Sequence, residues 1–186
     1  MIGANKKNDI DLIRRAAEGE SSAFGLLYDK YHRAIYRFVY LKVSHREEAE
    51  DITHHVFLNA WQNIDAFEDQ GLPITSWLYK IAHNKVVDYY RTRRFTANID
   101  DIPEEILNIA TGDDQELVQR RIAVKKVLEA LRSLPEDQQN VVMMRFVEEL
   151  PHKDIAQVLG KSEGTIRVLQ HRAIKSLQHI LKDYEA

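Results

Sequence analysis

Thr165, Arg167, Val168, His171, Arg172 and Lys175 fall within one short stretch and share a helical spacing. They supply hydroxyl and imidazole hydrogen-bonding groups, positive charge and one branched hydrocarbon. Base edges are read by such donors and acceptors, phosphates are held by cations, and a thymine methyl is met by an apolar contact. Between them Ile166, Leu169, Ala173, Ile174 and Leu177 repeat in the opposite phase and predict the buried stripe of the same helix. Upstream, Ile155, Ala156 and Leu159 mark a shorter helix. Gly160 can end that helix in the left-handed conformation at no steric cost. Ser162 suits an N-cap, and Glu163 complements the positive end of the helix that follows. The run from Asp154 to Ala173 therefore predicts a helix-turn-helix, whose second helix commonly enters the DNA major groove. An ordinary helical hairpin with a solvated basic face fits the same spacing.

Two further clusters lie earlier in the chain. In a predicted helix over residues 75–94, Leu78, Ala82, Val86 and Tyr89 form the apolar stripe. Trp77, Lys80, Asn84 and Arg91 form the opposite one, and Arg93 and Arg94 extend its charge. Aromatic faces stack on unpaired bases for about 1–3 kcal/mol each while cations track the backbone, so this face suits melted DNA. The alternative is that the arginines only complement the helix dipole. In the third cluster Asp51, His54, Leu58 and Trp61 share a face at successive steps of three and four. The inward stripe there is Ala49, Ile52, Val56 and Ala60. Either a second partner covers Leu58 and Trp61, or another helix of the same domain does.

The pair His54-His55 beside Glu50 and Asp51 invites a metal reading, which helix geometry rejects. Adjacent residues point about 100° apart, and a bundle di-metal site needs two Glu-x-x-His elements where this chain has one weak Asp51-x-x-His54. No metal, no cofactor and no enzymatic activity are expected, since a Gly-rich phosphate loop and a nucleophile motif are also missing from the sequence. The chain has no cysteine, which excludes disulfides and thiolate metal sites. No apolar run is long enough to span a bilayer, and Met1 to Asn8 lack a hydrophobic signal core. These features predict a cytoplasmic protein without membrane insertion.

The elements that must position these clusters are helices. Seven glycines and four prolines in 186 residues, with many helix formers, predict an all-α chain of one large or two small domains. Asn8 is suited to cap a helix over 9–18. Ser21 or Ser22 starts the next, through Phe24, Leu27, Tyr28, Tyr31, Ile35, Phe38, Val39 and Leu41, with its tyrosines read as core. Ser44 opens the helix of Asp51 and Leu58, and residues 65–73 form a loop. Later helices hold Leu117, Ile122, Val127, Leu128 and Leu131, then Val141, Val142, Met144, Phe146 and Val147, with Pro135 in a first-turn position. The net charge of −3 is uneven: Phe95–Arg120 carry one Lys or Arg against seven Asp or Glu, while the blocks on either side are near neutral or basic. Acidic, Pro- and Gly-containing and weakly periodic, residues 96–116 read as a linker.

Three stretches in this order resemble a known family. They are Ala49-Glu-Asp-Ile-Thr-His-His-Val-Phe-Leu-Asn-Ala-Trp61, then Ser76-Trp-Leu-Tyr-Lys-Ile-Ala-His-Asn-Lys-Val-Val-Asp-Tyr-Tyr-Arg91, then Leu131-Arg-Ser-Leu-Pro135 through Asp154-Ile-Ala156, Leu159-Gly160 and Gly164-Thr-Ile-Arg167. Together they resemble the extracytoplasmic-function (ECF) group of sigma factors of bacterial RNA polymerase, over nearly the whole chain. The resemblance implies an all-α protein of two small domains: a region 2 helical bundle over 1–95, an acidic linker over 96–116 and a region 4 helix-turn-helix domain over 117–186. It implies that Asp51, His54, Leu58 and Trp61 dock on the clamp helices of the largest polymerase subunit, with the flap of the second subunit as a further contact. Trp77, Asn84 and Tyr89 are then set near unpaired bases of the −10 element, and Lys80, Arg91, Arg93 and Arg94 on its phosphates. A flipped base is placed beside the loop from Asp65 to Gly71. Thr165, Arg167, Val168, His171, Arg172 and Lys175 are assigned to the −35 element. The implied partners are core RNA polymerase, promoter DNA and an anti-sigma factor. Three positions depart from the family's pattern: Lys161 stands where an apolar residue is usual, Leu169-Gln170 where Arg-Leu is frequent, and His54-His55 where Gln-Glu is common. A helix-turn-helix regulator that binds DNA without polymerase is the alternative.

Overall fold

The computed structural model describes residues 2–67, 73–92 and 114–183. The described residues form helices and turns, and the chain divides into two compact units, Met1–Ala97 and Asn98–Ala186. In the first unit α1 spans Ile2–Ala17, α2 Ser21–Val43, α3 Arg46–Gln62 and α4 Ile74–Thr92, with a short 3-10 turn at Ile64–Ala66. The long α2 is the spine of this unit: α1, α3 and α4 each pack on it, and α3 also packs on α4. Phe38, Leu27, Ile35, Val39 and Val43 of α2, Val56 of α3 and Leu78 and Val86 of α4 are fully buried there. One polar tie reinforces the α1–α2 contact. Buried Asp9 accepts from the Lys30 ammonium and from the Tyr31 hydroxyl at 2.5 Å. Burial, then the bond to Asp9, pushes the Tyr31 hydroxyl far above the usual phenol range.

The first unit differs from the sequence reading at two helix starts. Helix α1 begins at Ile2, well before Asn8. Ser44 does not open α3 but closes α2. It takes the left-handed conformation, φ 60°, and its N–H donates to the Tyr40 carbonyl at 2.8 Å. Only Ser44 and His45 separate the two helices, so the chain must reverse within two residues, and a left-handed residue supplies that reversal.

In the second unit α5 spans Asp114–Arg132, α6 Glu136–Val142, α7 His152–Leu159 and α8 Glu163–Asp183. Pro135 is the N-cap of α6 rather than a first-turn residue, and α6 runs into a π-helical turn over Met143–Val147. Helices α5, α6 and α7 all pack against α8. The core consists of Leu128, Leu131, Leu134, Val141, Met143, Met144, Ile155 and Ile166. Met143 and Met144 are core, in line with the sequence, whereas Val127 and Phe146 stay exposed.

Candidate nucleic-acid and protein interfaces

Helix α8 is set by local chemistry at its start. Gly160 adopts φ 63° and ends α7, and the Lys161 N–H donates back to the Ala156 carbonyl at 2.8 Å. Ser162 Oγ accepts from the Thr165 N–H at 3.1 Å and lies 2.8 Å from the Thr165 hydroxyl. With this cap in place, Ile166 and Ala173 are fully buried, while Thr165, Arg167, Val168, His171, Arg172 and Lys175 are all exposed. The structure therefore gathers all six predicted residues on the outer side of one helix. Val168, the apolar member, is 49% exposed. Two members have partners: the Thr165 hydroxyl is shared with the cap, and Arg167 Nη2 lies 3.6 Å from Glu163. Exposed pairs of this kind contribute roughly 0.2–1 kcal/mol, so phosphate or base contacts can displace them. An open groove lined by Ser133, Leu134, Pro135, Ser176, His179 and Ile180 adjoins Lys175.

Helix α4 buries Ile74, Leu78, Ala82 and Val86, leaving Lys80, Asn84 and Arg91 exposed. Trp77 is half-buried, with Phe67 edge-on to its ring at 5.5 Å. At about 100° per residue Trp77, Lys80, Asn84 and Arg91 fall in one sector, but Tyr89 lies about 180° around from Lys80. Tyr89 is thus not brought together with the basic side. It packs edge-on to Tyr90 at 5.7 Å, burial raises its hydroxyl pKa, and the neighbouring Tyr90 hydroxyl donates to the Lys42 carbonyl. Arg91 lies 3.4 Å from Asp88, one turn back. Arg93, Arg94, and residues 68–71 of the loop expected to receive a flipped base lie outside the described residues.

On α3 the inward stripe Ala49, Ile52, Val56 and Ala60 is buried, and Asp51, His54 and Leu58 are exposed. The two readings of Leu58 and Trp61 divide between the residues. Leu58 is 44% exposed, whereas Trp61 is half-buried against Phe24 of α2, with ring centroids 4.9 Å apart. Phe24 begins an aromatic ladder on α2 that includes Tyr28, His32, Tyr36 and Tyr40, four residues apart. Phe57 of α3 packs against Tyr28 and His32. Burial among these rings lowers the His32 pKa, opposed by nearby Asp29. Sequence reading missed this ladder as a unit, although its strict i, i+4 spacing is the signal that could have found it. His54 and His55 do not converge: their rings are 6.3 Å apart at 78°, and His55 Nδ1 lies 2.8 Å from the Asp51 carbonyl. Among the described residues no group of three His, Asp or Glu could hold a metal ion.

The second unit is thus a helix-turn-helix with a basic outer face, carried on the same chain as a separate helical unit whose α3 leaves Leu58 exposed. Residues 27–96 match the Sigma-70 region 2 family and residues 125–177 match the Sigma-70, region 4 family. The ECF RNA polymerase sigma factor BldN of Streptomyces coelicolor is 36% identical over 174 residues, covering 94% of this chain. This chain spans 66% of that relative's length. The ECF RNA polymerase sigma factor SigW of Bacillus subtilis is 26% identical over 180 residues, covering 92% of this chain and 95% of that one. A solved structure of CnrH in complex with the cytosolic domain of CnrY shares the fold, with TM-score 0.74, 24% identity, and coverage of 95% of this chain and 98% of that one. The chain belongs to the ECF group of the sigma-70 family of RNA polymerase sigma factors.

Proposed function

We propose that this protein binds core RNA polymerase and directs it to promoters, reading a −10 element as a melted strand and a −35 element in the major groove. The observation that carries this reading is the outer face of α8. Its six exposed polar, basic and branched residues stand over a fully buried Ile166 and Ala173, on a chain whose other unit matches sigma region 2. The work is binding and strand opening, with no covalent step. Asp51, His54 and Leu58 would meet the clamp helices of the largest subunit, with Trp61 contributing its uncovered edge. Lys80, Asn84, Arg91 and Trp77 would take the non-template strand, joined by Arg93 and Arg94 on phosphates; Tyr89, on the far side of α4, would approach a base only from that side. Thr165, Arg167, Val168, His171, Arg172 and Lys175 would read and anchor the −35 duplex. We place domain boundaries at 1–95 and 117–186, with 96–116 as a tether lying in the polymerase interior, its last three residues already in the first turn of α5, and the flap of the second subunit near the groove beside Lys175. The site of action would be the cytoplasm, at the nucleoid when bound to polymerase. An anti-sigma factor is proposed as a further partner, supported by the likeness to the sigma factor RpoE solved in complex with the anti-sigma factor NepR from Bartonella quintana. Within the described residues, no helix is long and apolar enough to cross a membrane.

The test is run-off transcription by core polymerase on a promoter library, with and without this protein. Transcripts starting downstream of a shared pair of elements only when the protein is present are expected. A protein that occupies duplex DNA unaided and leaves core polymerase inert would be a regulator of another kind.

A further inference from the structure

Helix α8 carries a polar side chain on its inner side. Gln170 lies between the turns of Ile166 and Ala173, both fully buried, and about 160° around the helix from Val168. Its Oε1 is 2.6 Å from Nε2 of His152, the first residue of α7. This bond joins the start of the first helix of the motif to the middle of the second. A second tie holds the turn between them: Lys161 Nζ lies 2.9 Å from Asp137 in the first turn of α6. Lys161 and Gln170 are two of the positions where the sequence departs from the family's pattern, and both side chains are engaged within the unit. Gln170 is half-buried at the border of the inner side, about 60° around the helix from Arg167, and its amide is engaged by His152.

Apolar contacts position a helix by packing, which is non-directional. A hydrogen bond restricts distance and angle, and so restrains rotation about the helix axis as well. Recognition depends on that restraint, because side chains on a recognition surface must be held to about 0.5 Å and 10–20° of the productive arrangement. We propose that Gln170 is a positioning residue: through His152 it fixes the rotation of α8, and so decides which bases the outer side chains meet, without touching a base itself. This inference rests on the −35 reading above.

The test uses holoenzyme assembled from core polymerase and the full chain, offered duplexes randomised across the −35 element. Wild-type protein selects one preferred sequence. His152→Phe and Gln170→Leu, taken singly, each leave one polar partner unpaired. Each lowers the ratio of preferred to random binding by on the order of fivefold to tenfold, the equivalent of one neutral hydrogen bond. The double variant removes the unpaired groups but also lacks the directional bond, so its fold is restored while its selection stays lowered, with the preferred sequence unchanged. Selection recovered to the wild-type ratio would show that packing alone sets the rotation, and would overturn the proposal. Gln170→Glu, which keeps the acceptor, retains selection and guards against a single variant that fails to fold. Single variants that select like wild type would overturn the proposal, as would a double variant whose preference changes at one base pair, the mark of direct reading by Gln170. A wild-type holoenzyme without any preference would instead overturn the promoter-reading function, and the positioning role with it.

Discussion

Helices α3 and α8 each have an inner stripe with fully buried members, Val56 and Ala60 on one and Ile166 and Ala173 on the other, although Leu169, Ile174 and Leu177 of α8 stay half-buried. They differ on the outer side. On α3 the exposed Leu58 stands with half-buried Trp61 between Asp51 and His54; on α8 Val168 stands among Arg167, His171, Arg172 and Lys175. In the proposed function the first face would gain affinity by removing apolar area from water, about 25 cal/mol per Å². The second would gain it by neutralising phosphates and releasing counterions. Two amphipathic helices built by the same rule would thus serve a protein partner and a nucleic acid, the choice lying in the outer stripe rather than in the fold.

The contrast breaks most sharply at Leu58. Leu58→Asp places an unpaired charge in the proposed polymerase contact, at a cost of about 3–5 kcal/mol. Co-purification with core polymerase should be lost while the thermal midpoint stays unchanged, because Leu58 is exposed within its own unit. Retained co-purification would mean that α3 is not the docking face. On α8, Arg167→Ala should weaken holoenzyme binding to a −35-bearing promoter by about 1–3 kcal/mol if it reads a base. Removing Arg172 or Lys175 should reduce the slope of log affinity against log salt by about 1 each if they hold phosphates, which titrations at several salt concentrations would reveal. Leu58→Ala should leave that slope unaltered.

Smaller effects concern how each unit is held together. Ser162→Ala removes the cap of α8 and should cost the second unit about 1 kcal/mol, measured by denaturant unfolding followed by circular dichroism. His32 marks the first unit. Its pKa is lowered by burial, so the folded state binds fewer protons than the unfolded state just below pH 6.5. Its contribution to stability is therefore complete above that pH and declines as pH falls through it. Both tryptophans, Trp61 and Trp77, belong to the first unit, so tryptophan fluorescence follows that unit's unfolding alone. The thermal midpoint read this way should fall between pH 7 and pH 5, and His32→Phe should diminish the fall. An identical fall in the variant would remove His32 from the account.

What the sequence made legible is what neighbouring residues decide. Gly160 in the left-handed conformation, Ser162 as a cap and the inward stripes of α3, α4 and α8 all follow from spacing and local backbone preference. Contacts between side chains far apart in the chain were not legible, because periodicity names a face but not its partner. His152 bonding to Gln170 and Asp137 pairing with Lys161 are of this kind, as is Trp61 resting on Phe24. Ser44 illustrates a different failure: a serine between two helices fits a start as well as an end, and only the tight reversal from α2 into α3 decides which. Tyr89 shows a third. Its helical phase places it in the apolar stripe, and the structure holds it on that side rather than beside Lys80 and Asn84.

The proposed division between a polymerase-gripping unit and a duplex-reading unit is tested most directly by strand opening. Permanganate reactivity of thymines at a selected promoter should be measured with core polymerase alone, with this protein alone, and with both together. Reactivity in the −10 region confined to the combined sample, abolished by Leu58→Asp and weakened by Arg167→Ala, is the predicted result. Opening by either component alone, or none when both are present, would contradict it.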